Sequence, residues 1–223
     1  LIFVIMRFIA IQNIDCPENA NGLRIKTNLG KTKSVHFKKA KVVNDVLLNS
    51  LGGVGSSKFI KEIQKTTVKS NDRNDRDGFK HRNSDYFQWT SDGIYGLSRQ
   101  GVLTKFNKII IVIGEPIHSI LSVYRRFKSS HLNKWRRNVH RTRFNKDLDI
   151  SKIWNMTLAA QSDVLGIQEY LQSWLVKCKE YRSICQVVDT ETLYNHADYY
   201  AKYAGVKNVA RFKAMSYQPT STH

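Results

Sequence analysis

The chain has 223 residues, enough for one α/β domain of substantial size or at most two small ones. Hydrophobic residues make up 41% of it and four residues are tryptophan, which argues against a disordered chain. With 36 Lys and Arg against 18 Asp and Glu, the formal net charge is +18, so the expected partners are anionic: nucleic acid, acidic glycans, anionic membrane surfaces or phosphorylated nucleotides.

The chain opens on an apolar stretch, residues 1–11, that is interrupted by Arg7. A bilayer span needs about 20 apolar residues, so we expect no transmembrane span and interpret the stretch as a buried strand or the end of a signal anchor. Because the first residue is not Met, we expect either a fragment, with truncation at both ends as one option, or an uncertain start. The predicted organisation is a single α/β domain over residues 1–223 with its core at 42–210; Golgi lumen and cytoplasm both stay open as locations.

A glycine-rich loop follows the first clear strand. Residues 46–50 are largely apolar, Leu51-Gly52-Gly53-Val54-Gly55-Ser56-Ser57 comes next, and an amphipathic helix is predicted to about residue 67. Glycines let backbone N–H groups approach an anion, and the positive end of the helix points at the same place. The two serines are expected to add hydroxyl donors and to cap the helix. The loop lacks the Walker A pattern G-x-x-x-x-G-K-[ST], so the sequence predicts a phosphate-binding loop of another type.

The segments that follow alternate between polar and apolar tracts. Residues 69–85 are almost wholly polar and predict a surface loop. A second strand is predicted at 108–113, where an uninterrupted apolar run is closed by Gly114-Glu115-Pro116. Uninterrupted runs of this kind are typical of parallel strands buried on both faces.

Helical patterns occupy most of the second half. Apolar residues recur at helical spacing over 117–135, and again over 153–181, where Ser151 is the expected N-cap of one long core helix. A short strand at 184–188 and a last helix around 195–204, ended by Gly205, follow.

This alternation predicts the α/β class, with an open, mostly parallel sheet flanked by helices. In such sheets ligands bind beyond the carboxyl ends of the strands. The glycine-rich loop and Gly114-Glu115-Pro116 both follow strand ends, so we expect them to form one site.

The three cysteines, Cys16, Cys178 and Cys185, show no spacing typical of metal ligands and leave an odd thiol under any pairing. We expect ordinary reduced thiols rather than a disulfide, since free cysteine usually behaves as a small buried hydrophobe. No other cluster predicts a metal site.

The ordered motifs resemble the sulfotransferases that use 3′-phosphoadenosine 5′-phosphosulfate (PAPS). In that family a loop of the type P-K-S-G-T-T holds the 5′-phosphosulfate, and Gly52–Ser57 stands in its place here, with Gly55-Ser56-Ser57 matching G-T-T. Further along the chain, the family has a strand followed by an R-D-P turn, and this turn binds the 3′-phosphate together with a serine eight residues after the arginine. In this sequence the turn is replaced by Gly114-Glu115-Pro116, and the serine position is occupied by Ser122. Residues 187–193 are similar to the family's strand followed by E-D-L. The resemblance covers residues 46–206 and implies a P-loop-like three-layer sandwich.

Two departures from the family pattern affect the expected cation set. Gly53 stands where the loop lysine is expected and Gly114 where the arginine is expected; Lys58, and Arg125 or Arg126, are the candidate replacements. The resemblance implies PAPS as co-substrate without a metal. The residues implied to bind it are Gly52, Gly53, Val54, Gly55, Ser56, Ser57, Lys58, Ser122 and Arg125.

Sulfuryl transfer needs an in-line nucleophile, a base for its proton and cations for the charge on the leaving phosphate. The family often places K-x-H or a related acid or base between its two phosphate sites, and His81 in Phe79-Lys80-His81-Arg82 falls in that interval. We take His81 as the candidate base and Lys58 as the cation at the bridging oxygen. A solvated loop histidine is the alternative interpretation of His81, and Glu62 is a weaker candidate base.

From Pro116 through Lys146 the chain carries nine Lys and Arg and no acid. A polyanion-binding surface is predicted there, for an acidic glycan or for nucleic acid. The leading hypothesis is a PAPS-dependent sulfotransferase acting on a hydroxyl or amine acceptor, for which an anionic carbohydrate is one candidate. The alternatives are a non-catalytic polyanion- or nucleic-acid-binding protein on a P-loop-like scaffold and, weakened by the failed Walker A pattern, a nucleotide-dependent kinase.

Overall fold

One long strand organises the sheet of the computed structural model, which describes residues 42–52, 54–115, 119–120 and 166–216. This strand, β4 (Leu103–Ile113), pairs in parallel with β1 (Val42–Ser50) on one side. On its other side it pairs antiparallel with β3 (Gly93–Leu97) near its start and in parallel with β5 (Cys185–Asp189) near its end. A short strand, β2 (Gln88–Thr90), pairs antiparallel with β3.

Helices cover both faces of this sheet. On one face Leu47, Ile109 and Ile111 pack with residues of α2 (Ile167–Glu180), and on the other Leu48 and Ile110 pack with residues of the remaining helices. Burial on both faces explains the uninterrupted apolar runs at 46–48 in β1 and at 109–113 in β4. The helices are α1 (Ser56–Ile63), α2 (Ile167–Glu180), α3 (Thr190–Asn195), α4 (Ala197–Tyr203) and α5 (Ala210–Lys213), with a 3₁₀ turn at Ser84–Tyr86.

The α/β class is confirmed, but the prediction of a mostly parallel sheet is wrong. Two of the four strand pairings, β2 with β3 and β3 with β4, are antiparallel, so the sheet is mixed. The hairpin between β2 and β3 turns over two residues, and the Thr90 hydroxyl contacts Asp92 at 2.7 Å inside that turn. Glycines at 93 and 96 interrupt the apolar alternation on which strand prediction depends, so this hairpin gives no clear sequence signal.

The predicted polar surface loop, residues 69–85, is in part a buried cover for the outer edge of β1. The carbonyl of Lys69 accepts from the amides of Asp45 and Val46, at 2.8 and 3.2 Å. The carboxamide of Asn71 accepts from Leu48 N at 2.8 Å and donates to Leu48 O at 3.0 Å, in place of a strand residue. Asn71 is fully buried because β1 satisfies both polar ends of its side chain.

Two helix predictions meet different outcomes. Of the helix expected over 153–181, residues 167–180 are helical and form α2. The prediction of one unbroken helix is wrong, because Gly166 has φ +73° and stands outside α2 as its N-cap. The remainder of that helix, 151–165, lies outside the described residues. The strand at 184–188 and the helix around 195–204 are confirmed as β5 and α4, with Gly205 just beyond the helix end.

The expectation of reduced thiols is wrong for two of the cysteines. The structure joins Cys178 to Cys185 by a disulfide between the last turn of α2 and the start of β5. A tight turn after α2, in which the Tyr181 carbonyl accepts from the amides of Ile184 and Cys185, brings the two Cα atoms to 5.0 Å. The seven-residue spacing gave no indication of this turn.

Several predictions concern residues outside the described part of the chain. These are the opening apolar stretch, Gly53, the helix over 117–135 apart from residues 119 and 120, and the basic residues up to Lys146. Within the described ranges, no helix combines the length and the apolar character that crossing a membrane requires.

Replacing Asn71 with Ala tests how the edge of β1 is covered. The change leaves a buried N–H and a buried C=O of Leu48 without their partners, so we expect the free energy of unfolding to fall by about 2–5 kcal/mol in urea denaturation. Asn74→Ala, an exposed position in the same turn, should change it by less than about 0.5 kcal/mol. Equal effects of the two substitutions would contradict this account.

Candidate anion-binding site

The glycine-rich loop forms an uncapped helix start at the carboxyl end of β1. Gly55 is the N-cap of α1 with φ +76°, a left-handed conformation that favours glycine, and no side chain in the described part of the chain caps the helix. The expected serine N-cap is therefore wrong, since Ser56 and Ser57 are already inside the helix. The first amides of a helix have no carbonyl partner within it, and α1 has no acidic residue in its first turn. The helix start thus offers N–H donors and a positive dipole end to an anion.

The two serines of the loop have different surroundings. Ser56 is buried, and its Oγ lies 2.9 Å from Oγ of Ser50 at the end of β1. Ser57 is exposed, and its Oγ accepts a hydrogen bond from Nζ of Lys80 at 2.5 Å. Ser56 therefore ties the helix start to the strand, and Ser57 is the hydroxyl at the surface of the site.

Lys80 is the functional candidate that sequence reasoning missed. Only 5% of the residue is exposed, and its ammonium group also donates to the carbonyl of Arg73 at 3.1 Å. A buried ammonium group requires hydrogen-bonding partners, and here they direct it to the first turn of α1. The family's K-x-H pattern indicated the segment that contains Lys80, but the residue it predicted to be functional was His81 and not the neighbouring lysine.

His81 lies where β1 gives way to the loop. Its Nδ1 is 2.5 Å from the carbonyl oxygen of Ser50, and the amide of Ser50 donates to the carbonyl of Lys80 at 2.9 Å. A carbonyl oxygen can only accept, so Nδ1 carries a proton, and in a neutral ring the lone pair is then on Nε2. The ring chemistry is compatible with a proton acceptor at the strand end.

A buried polar network holds the segment that carries these two residues. Asn49 Nδ2 donates to the carbonyls of Phe79 and Arg82, each at 3.0 Å, and its Oδ1 accepts from the hydroxyl of Tyr170. Trp174 Nε1 donates to the Arg82 carbonyl at 3.1 Å. Strand β1 and helix α2 therefore fix both ends of residues 79–82.

Helix α3 holds the other side of the loop. Thr190 Oγ1 lies 3.0 Å from the carbonyl oxygens of both Val54 and Ile113, and the Tyr194 hydroxyl donates to the Gly55 carbonyl at 2.7 Å. Lys58 is exposed, with Nζ 5.7 Å from the centroid of the Tyr194 ring. Burial raises the pKa of Tyr194 to about 12, so its hydroxyl remains a donor at neutral pH.

Gly114, the position of the family's arginine, is a point of close packing in this structure. A Cβ at 114 would lie 2.5 Å from Cγ1 of Val54, well inside the 3.5–4 Å of ordinary carbon contacts. Val54 is buried and its carbonyl is bound by Thr190, so a side chain at 114 would displace the loop. The 3′-phosphate site expected from the resemblance therefore has no arginine at this place.

The structure brings together part of the predicted site. Gly52, Val54, Gly55, Ser56, Ser57 and Lys58 lie in the loop and the start of α1, with His81 at the adjoining strand end. Gly53, Ser122 and Arg125, like Arg126, lie outside the described residues. Glu62, the weaker candidate base, forms an ion pair at 2.6 Å with Lys65, two residues beyond the end of α1. No group of three or more His, Cys, Asp or Glu that could hold a metal ion occurs in the described ranges.

Comparison of the chain with protein-family models, with curated proteins and with solved structures found no match in any of the three. Function is therefore inferred from the chemistry of the loop and of the residues around it.

Tyr194→Phe should reveal the contribution of α3 through its pH dependence. At pH 8 we expect the free energy of unfolding to fall by about 1 kcal/mol, because the Gly55 carbonyl loses the hydrogen bond from the Tyr194 hydroxyl and keeps only the longer one from the Lys58 amide, at 3.2 Å. A tyrosine ionises near pH 10 in the unfolded chain and Tyr194 near 12 in the folded one, so the wild type loses this group's contribution as the pH rises from about 10 to 12. Denaturation from pH 8 to 11 should show the two proteins converging above pH 10, and a constant difference would contradict the assignment.

Proposed function

We propose that this chain is a PAPS-dependent sulfotransferase on a P-loop-like three-layer scaffold, with a hydroxyl or amine of an acidic carbohydrate as the acceptor. The observation that carries the proposal is the buried Lys80 ammonium group, 2.5 Å from the Ser57 hydroxyl at an uncapped helix start. Helix amides, a hydroxyl and an ammonium group converge there, and all three donate hydrogen bonds to phosphate or sulfonate oxygens.

Lys80 compensates for the absence of a lysine within the loop. In the family pattern that lysine contacts the transferring sulfonate, and here its place is taken by Gly53. Lys80 reaches the loop from the segment along β1, 23 positions after Ser57, and its burial lowers the local dielectric in which it acts. A cation delivered from another segment can stabilise the same charge, because geometry rather than chain position decides the interaction.

The proposed reaction is a single in-line transfer. The acceptor oxygen or nitrogen forms a bond to sulfur as the bond from sulfur to the bridging oxygen breaks. The bridging oxygen keeps the electron pair and leaves as part of adenosine 3′,5′-bisphosphate. Nε2 of His81 takes the proton of the acceptor, while Lys80, Lys58 and the helix amides stabilise the charge on the leaving phosphate.

A second candidate is a non-catalytic binder of polyanions such as nucleic acid. The close packing of Gly114 against Val54 favours it, because it excludes an arginine where the sulfotransferase pattern has one. The net charge of +18 favours it as well. Such a protein should prefer long polyanions, with an affinity that falls steeply as salt rises.

Calorimetric titration in metal-free buffer at physiological salt separates the two candidates. We expect adenosine 3′,5′-bisphosphate to bind with micromolar affinity and AMP to bind much more weakly. Lys80→Met should weaken the bisphosphate by about 10- to 100-fold, the usual loss for a hydrogen bond to a charged group. Lys61→Met, which removes an exposed lysine from the same helix as Ser57, is the control and should bind like the wild type.

Equal weak binding of the two nucleotides would contradict the proposal and favour the polyanion binder. Tight binding of single-stranded DNA with a steep salt dependence, unaffected by Lys80→Met, would identify that alternative.

A further inference from the structure

The turn before Lys80 is built around its own carboxylates. Asp77 accepts from the amides of Asp72 and Phe79, at 2.6 and 3.2 Å, which closes the turn just after it leaves the edge of β1. The turn contains the Arg73 carbonyl, which accepts a hydrogen bond from the Lys80 ammonium group at 3.1 Å. The position of that ammonium group therefore depends on the conformation of the turn.

Asp75 stands at the centre of this turn in a conformation that its side chain must stabilise. It has φ +58°, uncommon for a residue other than glycine, although Asp and Asn tolerate it better than most. Only 5% of the residue is exposed. Its Oδ1 accepts from the Lys80 amide at 2.9 Å, which ties the main chain of the lysine directly to the turn.

Arg99 clamps Asp75 from a distant part of the chain, the connection between β3 and β4. Its Nη2 donates to Asp75 Oδ2 and its Nη1 to the Asp75 carbonyl, each at 2.9 Å, while its own amide donates to the Asp77 carbonyl at 2.9 Å. Gly78 leaves room for this side chain, since a Cβ there would lie 2.7 Å from Arg99 Cγ. The clamp thus joins the antiparallel hairpin to the turn that presents Lys80.

A neighbouring ion pair offers a natural contrast. Arg76 binds Asp72 at 2.7 Å within the same turn, but Arg76 is well exposed and the pair makes no described contact with Lys80. Exposed pairs of this kind contribute little to stability. We therefore expect Arg99, and not Arg76, to hold Lys80 in position.

We propose that Asp75 and Arg99 are positioning residues, which hold the Lys80 ammonium group at Ser57 and so set the affinity of the site for phosphate- or sulfonate-bearing nucleotides. The identity of the ligand rests on the proposed function, but the position of the Lys80 ammonium group can be measured without any nucleotide.

The first test is chemical labelling of lysines without nucleotide. The protein is acetylated under limiting reagent, and the rate at Lys80 is measured by peptide mass spectrometry against Lys61 as internal reference. Arg99→Gln should raise the relative rate at Lys80 by about tenfold, because release of the turn exposes its ammonium group. Arg99→Lys keeps a positive charge for Asp75, so its acetylation rate at Lys80 should lie between those of the wild type and Arg99→Gln. Arg76→Gln should be acetylated at Lys80 at the wild-type rate.

A second variant, Asp75→Asn, removes the negative charge that Arg99 binds. Asparagine still offers an oxygen to the Lys80 amide and also tolerates the left-handed conformation. This variant therefore tests the charge of the clamp even where an Arg99 variant folds poorly. It should also raise labelling at Lys80. Unchanged Lys80 labelling in both Asp75→Asn and Arg99→Gln, with both proteins folded, would overturn the positioning role.

The second test is calorimetry with adenosine 3′,5′-bisphosphate on the same variants. Arg99→Gln should weaken binding by about tenfold with Arg99→Lys intermediate, and Arg76→Gln should match the wild type. If the wild type fails to bind, the proposed function fails while the labelling result still decides the position of Lys80. If the wild type binds and Arg99→Gln binds equally well, the positioning role is wrong and the proposed function stands.

Discussion

The site depends on how residues 69–80 run along the outer edge of β1. The carbonyl of Lys69, the carboxamide of Asn71 and the carbonyl of Lys80 accept from amides along that strand, with a turn between Asn71 and Phe79. The strand would otherwise expose unpaired main-chain groups. Because the segment rejoins the strand at Ser50, where the loop begins, its next side chains are delivered to the loop. Edge pairing and site assembly therefore have the same physical cause.

The cation of the site is buried, which sets it apart from the basic surface of the protein. Exposed lysines and arginines attract polyanions over a distance that salt shortens, whereas a buried ammonium group acts on one anion at hydrogen-bond range. Burial has a desolvation cost, and the Ser57 hydroxyl and the Arg73 carbonyl offset part of it. An arrangement of this kind is easier to explain by a specific phosphate or sulfonate group than by general affinity for charge.

Sequence reasoning succeeded where local chemistry decides the structure and failed where distant partners do. The strand, the glycine turn and the helix after it were predictable, because apolar runs and glycine conformations are local properties, although Gly55 rather than a serine is the N-cap of α1. The burial of Asn71 and Lys80 was not, since each polar side chain is satisfied by residues 23 positions away. The disulfide from Cys178 depended on the geometry of a turn, and the role of Gly114 depended on packing against Val54.

The most direct test of the central claim is a crystal structure with adenosine 3′,5′-bisphosphate bound. The account predicts a 5′-phosphate oxygen within hydrogen-bond distance of both the Ser57 hydroxyl and the Lys80 ammonium group, in line with the first amides of α1. A nucleotide bound elsewhere on the protein, with Lys80 still confined to Ser57 and the Arg73 carbonyl, would contradict it.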